Sequence, residues 1–278
     1  MTTQTDQIDA LPAIHYIAQK ILTLKLNTQK DEIALFELLG EDPPIMAKVI
    51  GLSNSPQFGL SRTIYKLHDA MAVLGTNRIK MVALSFAMMS SLHRNPAGLL
   101  NSKNLMMHSL SVAMGMETLS HYLPMDKRPS EEEIFLAGLV HDIGYLVLDF
   151  VNPLVSDQFQ LRMVTNKSLR EEEIEKSILD RNHCELGALL ARHWKLPRNI
   201  VNVLQYHHTP FDELPEDMPL VGLTSLVERM QPTFKREADG GNVIQLAEWE
   251  YMGIDSSKTD EIEAKVMAHK YEEDGQKP

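Results

Sequence analysis

Apolar residues recur along this chain at intervals of three and four, the spacing of one helix face, and no run alternates strictly enough to suggest a strand. Ile14, Ile17, Ala18, Ile21 and Leu22 form the first apolar stripe. Asp31 is placed to cap a second helix that runs through Ile33, Leu35, Leu38 and Leu39 and stops at Gly40. Pro43 and Pro44 suit the first turn of a third helix carrying Ile45, Val49, Ile50 and Leu52, which Ser53-Asn54-Ser55-Pro56 then interrupts. A fourth helix is expected over Leu67 to Leu74, closed by Gly75, and a fifth over Ile79 to Leu92. The turn-forming run Asn95-Pro96-Ala97-Gly98 reads as a boundary between two subdomains.

Beyond it the same periodicity carries different contents. Leu105 to Leu119 reads as a helix with His108 in its first turn. Ser130 with Glu133 forms a capping box that opens a long apolar helix containing His141, and Ser168 with Glu171 is expected to open another that reaches Leu179. Asn182 is placed to cap a helix from His183 to Trp194, closed by Pro197. Helices follow over Ile200 to His208 and Leu220 to Met230. After the polar stretch Lys235 to Asn242 come one or two amphipathic helices. The expectation is therefore an all-α protein, a multi-helix bundle in which an N-terminal helical subdomain (1–98) packs on a second helical subdomain (99–236), followed by a C-terminal helical extension (237–278).

Composition narrows the function. With 278 residues and 44% hydrophobic content the chain can bury a real core. A formal net charge of −11, with no visible Lys/Arg cluster, argues against a nucleic-acid partner. The single cysteine, Cys184, leaves no disulfide framework and no cysteine-based zinc site to expect. The first ten residues lack the layout of a signal peptide, and the apolar stretch from Phe135 to Val151 is broken by His141, Asp142 and Asp149. A cytoplasmic protein without a membrane partner is expected. The sixteen methionines read as core filler, Glu131–Glu133 and Glu171–Glu173 as solvated first-turn acids, and Trp249 and Tyr251 as residues that pack the extension onto the body.

The chemistry lies in the histidines. His15, His68, His93, His121, His193 and His269 have no chemical partner in the pattern and read as ordinary structural or surface residues. His108, His141, His183, His207 and His208 fall in the second subdomain, and Asp142 directly follows one of them. Imidazole with carboxylate suits a divalent transition metal, and groups spread over four helices can converge only inside a bundle. Neighbours such as His141 and Asp142 point about 100° apart on a helix, so both reach one centre only near a helix end or across two metals. Gly144, two residues on, would permit close packing there.

The order His108, His141-Asp142, His183, His207-His208 resembles the HD superfamily of metal-dependent phosphohydrolases. More specifically, the chain from about Leu11 to Leu226 is similar to the HD-related output domain (HDOD) family. The matching residues are Leu11-Pro12, Asp42-Pro43, Ser53-Asn54-Ser55, the run Leu67 to Gly75, Phe135 to Tyr145, His183 to Ala188 with Trp194, and Leu196-Pro197. The resemblance implies metal ligation by His108, His141, Asp142, His183, His207 and His208, with one or two ions of iron, nickel, manganese or zinc. In active relatives Asp142 would bridge two metals that acidify an attacking water, which makes it the catalytic candidate if the chain is active. Three departures point away from activity: Tyr145 where active cyclic-dinucleotide relatives carry Lys, Thr209-Pro210 after the histidine pair, and Ser225 where the final metal-binding Asp is expected. The implied function is a bacterial-type signalling or regulatory module that binds an unidentified signalling protein, with room for a homodimer. The alternative is a metal-dependent phosphohydrolase acting on a nucleotide or cyclic dinucleotide.

Overall fold

The computed structural model describes residues 11–92, 98–166, 168–169, 171–232 and 243–271, which are helical with no strand among them. They form two compact units, one of Pro12–Leu92 and one comprising Leu11 and the described residues from 98 onward. The boundary residues 93–97, the polar stretch around 235–242 and part of the cap expected at Ser168 lie outside the described residues.

In the first unit α1 (Tyr16–Thr23), α2 (Gln29–Gly40), α3 (Pro43–Ser53), α4 (Leu67–Leu74) and α5 (Thr76–Ser90) bury their apolar stripes around α5. Local chemistry explains each start. Thr28, not Asp31, is the N-cap of α2, and Asp31 is its partner in a capping box, its carboxylate accepting from the Thr28 N–H at 2.8 Å. Asp42 caps α3 ahead of its two prolines, and Gly75 takes a φ of 86° between α4 and α5. His15 caps α1 through its ring and lies 3.5 Å from Asp42, a structural role as the sequence suggests.

The second unit is built on α6 (Ser102–Ser120), α7 (Glu131–Val140), α8 (Ile143–Val151), α9 (Pro153–Thr165), α10 (Glu171–Ile178), α11 (His183–His193), α12 (Arg198–Tyr206) and α13 (Pro219–Met230). Two short helices, α14 (Leu246–Tyr251) and α15 (Thr259–Met267), close it. Because α6 begins at Ser102, His108 sits in its second turn. Helix α9 is an element the periodicity misses, although Asn152 before Pro153 is a recognisable start: its side chain accepts from Val155 N–H.

The apolar stretch expected as one helix is two. Helix α7 ends at Val140, and Asp142, at φ −95° and ψ 13°, begins α8. Residues Glu131–Val151 are together long and apolar enough to span a membrane, but 94% of the most apolar window is buried inside the fold. Trp249 is buried, Met218 N–H donates to the Tyr251 hydroxyl at 3.1 Å, and the Tyr251 ring meets Phe211, so these two residues pack α14 onto the unit. Met106, Met116 and Met163 are buried in the core of this unit, as expected of filler.

Candidate metal centre

The helix break at His141-Asp142 sets the site. Adjacent residues on a continuous helix diverge, whereas the junction of α7 and α8 lets both side chains face one centre. Gly144 then brings α8 against the start of α11, because any Cβ there would collide with the His183 carbonyl. Gly138 similarly admits the Ala113 backbone between α6 and α7. Four helix segments thus converge on one buried carboxylate.

Asp142, 2% exposed, faces two sets of imidazoles with its two oxygens. Oδ2 lies 3.3 Å from His141 Nε2 and 3.9 Å from His108 Nε2. Oδ1 lies 3.7 Å from His183 Nε2 and 3.6 Å from His207 Nε2. The ring of His208 packs 4.3 Å from that of His207 and 5.1 Å from that of His183, but the residue is at the exposed edge of the group. All six residues singled out in the sequence come together, with His208 outermost.

Three further residues complete the surroundings. Glu228 on α13 places Oε2 2.9 Å from His108 Nε2 and 3.1 Å from His141 Nε2. It stands one helical turn beyond Ser225, so a carboxylate reaches the cluster from the same face of the helix on which the resemblance expects one at Ser225. That i, i+3 spacing is the signal by which the sequence reading could have found it. Glu175 accepts from His183 Nδ1 at 2.7 Å and from His183 N–H at 3.0 Å. Cys184 rests its Sγ 3.4 Å from His183 Nε2 and 3.8 Å from His207 Nε2. Glu171 is also corrected: it is half-buried beside Glu175 and His183 rather than a freely solvated acid.

The ring orientations are fixed from behind. His141 Nδ1 donates to Gly138 C=O at 2.8 Å and His207 Nδ1 to Val203 C=O at 2.9 Å. With Glu175 holding His183 Nδ1, three imidazoles present Nε2 inward, the arrangement by which outer groups orient metal ligands. Tyr145, 1% exposed, stacks on the His183 ring at 4.4 Å and on Phe159 at 5.7 Å, steadying the ligand where a phosphate-binding lysine was looked for.

The donor set fits a divalent transition metal: nitrogen and oxygen donors of His108, His141, Asp142 and Glu228 gather in one group, and nitrogen and sulfur donors of His183, Cys184, His207 and His208 in another. Electrostatics agree. Burial alone would lower the His141 imidazolium, but Asp142 and Glu228 outweigh it and raise it well above the usual histidine range. Burial likewise raises Asp142, yet His141, His207 and His183 hold its carboxyl well below the carboxylate range. Glu228 behaves the same way, lowered against burial by His108 and His141. Burial pushes the Glu171 carboxyl well up, with Glu175, Asp142 and Glu228 adding to it against His183. For Cys184, burial is outweighed by His183 and His207, and the thiol falls to about 6. Burial would depress His207, but the Cys184 sulfur and Asp142 raise it to about 9. A buried pocket that favours cationic partners this strongly is suited to hold an ion.

A helical bundle with a buried His/Asp/Glu cluster of this order defines a class, and the family comparison agrees with it. The HDOD domain model matches residues 11–210, and the chain belongs to the HDOD family. An HDOD domain protein of unknown function from Geobacter sulfurreducens is similar in fold, with 23% identity, 93% of each chain covered and a TM-score of 0.68. A candidate signal transduction protein from Marinobacter aquaeolei VT8 matches with 22% identity and a TM-score of 0.69, over 96% of this chain and 60% of its own. A candidate phosphohydrolase from Shewanella amazonensis SB2B matches with 20% identity and a TM-score of 0.62, over 95% of this chain and 86% of its own. The chain spans 41% of the length of an uncharacterized Treponema pallidum (strain Nichols) relative, to which it is 20% identical over 219 residues.

Proposed function

We propose that this chain is a regulatory domain that acts through a partner protein and keeps its HD-type metal centre as a structural or sensory element. The observation that carries the reading is the closure of the centre. His141, Asp142, His183, His207 and Glu228 are each at most 4% exposed, a setting that retains an ion better than it admits a phosphodiester. Asp142 stands between the two ligand groups and joins them, with Glu228 completing one and Glu175 orienting the other. A bound ion here supplies positive charge and, in catalysts, acidifies water. Tyr145, an uncharged phenol stacked against His183, supplies no cation for a phosphate.

One observation favours the second reading, a phosphohydrolase acting on a nucleotide or cyclic dinucleotide. Glu228 offers a carboxylate from the helix whose Ser225 is one of the three departures that point away from activity. The likeness in fold to the Shewanella protein is consistent with either reading.

Elemental analysis of untagged protein paired with hydrolysis of a generic aryl phosphodiester separates them. The regulatory reading expects bound iron, manganese, nickel or zinc with negligible turnover. Turnover of about 1 per second or faster, lost on Asp142→Asn, replaces it with the enzymatic one.

A further inference from the structure

The two ligand groups around Asp142 are not chemically alike. His108, His141, Asp142 and Glu228 offer two imidazoles and two carboxylates, a hard nitrogen and oxygen set. The other group contains sulfur. Cys184 is a buried free thiol, 5% exposed, next to His183 in the first turn of α11. A residue pair at a helix start can aim at one centre in the way that His141 and Asp142 do at the α7–α8 junction.

We propose that Cys184 is a thiolate ligand which, with His183, His207 and an oxygen of Asp142, forms a zinc-type site distinct in metal preference from the carboxylate-rich half. The proposal rests on reading the cluster as a metal centre. Its support is the spacing of donor atoms. A tetrahedral zinc with bonds of about 2.05 Å to imidazole and about 2.3 Å to thiolate sets neighbouring nitrogens about 3.3 Å apart and nitrogen and sulfur about 3.6 Å apart. His183 Nε2 and His207 Nε2 are 3.3 Å apart; Sγ lies 3.4 Å from the first and 3.8 Å from both Nε2 and Nδ1 of His207. Asp142 Oδ1, at 3.7 Å and 3.6 Å from the same nitrogens, occupies a further edge.

The imidazole orientations add an independent argument. Both Nδ1 atoms already donate, to Glu175 and to the Val203 carbonyl, so in neutral rings both Nε2 atoms carry lone pairs. Two such lone pairs meeting at 3.3 Å repel unless a proton or a cation lies between them. His208 lies at the exposed margin of the group, its ring against that of His183.

The test uses the full chain, stripped of metal and reloaded with Co(II). Wild type should show visible ligand-field bands together with a near-ultraviolet thiolate-to-cobalt absorption. Cys184→Ser should lose the near-ultraviolet absorption and keep the visible bands from the remaining ligands. The same variant should bind zinc at least about tenfold more weakly while manganese binding is unchanged. Visible bands without the near-ultraviolet absorption in wild type overturn the thiolate ligand but leave the metal centre standing. Absence of any cobalt binding overturns the centre itself, and Cys184 as its ligand with it. Because the decisive spectrum is that of wild type, a misfolded variant does not shelter the proposal.

Discussion

Buried side chains of the two units reach different distances along the chain. In residues 12–92 two buried hydroxyls bond within one helical turn: Ser53 donates to Val49 C=O at 2.8 Å and Ser85 to Val82 C=O at 2.8 Å. Asn54, bonded to Ile50 C=O and to both Ile64 C=O and N–H, ties a loop ten residues long. In the unit that follows, buried groups meet across long stretches of chain: His108 with Glu228 over 120 residues, and His141 with Glu228 over 87. Short-range bonds of the first kind adjust a helix or a turn. Convergence of the second kind gathers charge where burying it is costly unless an ion or counter-charge is present, and that is the usual mark of a functional site.

The comparison breaks most clearly at Asp142. Asp142→Ala removes the carboxylate that faces both ligand groups, and bound metal measured by elemental analysis should fall at least about tenfold. Metal content unchanged by this substitution would remove the distinction between the units.

Glu228→Gln should have a smaller effect, confined to one group. It keeps the shape of the side chain but not its charge, so the His108–His141 half should lose its ion while the His183–His207 half keeps one. Total metal should drop to about half of the wild-type value if both halves are filled. Ser225→Asp, by contrast, should bring no gain, because Glu228 already supplies the carboxylate from that helix face. A rise in metal content on Ser225→Asp would show that Glu228 is not in that role.

Acidity offers a graded test. His207, raised to about 9, must give up its proton before Nε2 can bind a metal, so affinity should rise as pH approaches that value. Acidification runs the other way: from about pH 9 downward His207, and with it the raised His141 and His183, protonate and compete with the metal, so affinity should fall as pH drops, well before the depressed Asp142 and Glu228 carboxyls titrate. Equilibrium dialysis across that range measures it, and pH-independent retention would contradict the ligand set.

The smallest effect is expected in the first unit. Ser53→Ala deletes one buried hydroxyl bond to a carbonyl of its own helix and should cost about 1 kcal/mol of stability or less in denaturant unfolding. Metal content per folded molecule should not change.

Legibility follows the same division. The boxes Thr28/Asp31, Ser130/Glu133 and Asn182/Glu185 join residues three apart, so their chemistry is written in the local sequence even where the capping residue of α2 was misassigned. The six histidine and aspartate positions were legible because their order along the chain is that of a family. Helix α9 was overlooked because half its apolar side chains, Leu154, Leu161 and Val164, face outward, while its buried side is marked only by Phe159 and Met163 beside Ser156. The break between α7 and α8 was hidden because both flanks are apolar and neither glycine nor proline marks it.

Glu175, Cys184 and Glu228 were passed over for a different reason. Each sits in a run that reads as an ordinary helix, and nothing local separates a solvated glutamate or a packed thiol from one that faces imidazoles. By itself the sequence determined that the chain is helical, where most helices begin, and which histidines and aspartate were candidates to converge. Only the tertiary structure decided that Glu228 reaches His108, that Glu175 accepts from His183, and that the Cys184 sulfur lies beside His183. Helix propensity and capping act over three or four residues, whereas a metal centre is assembled by packing that brings together side chains more than a hundred residues apart.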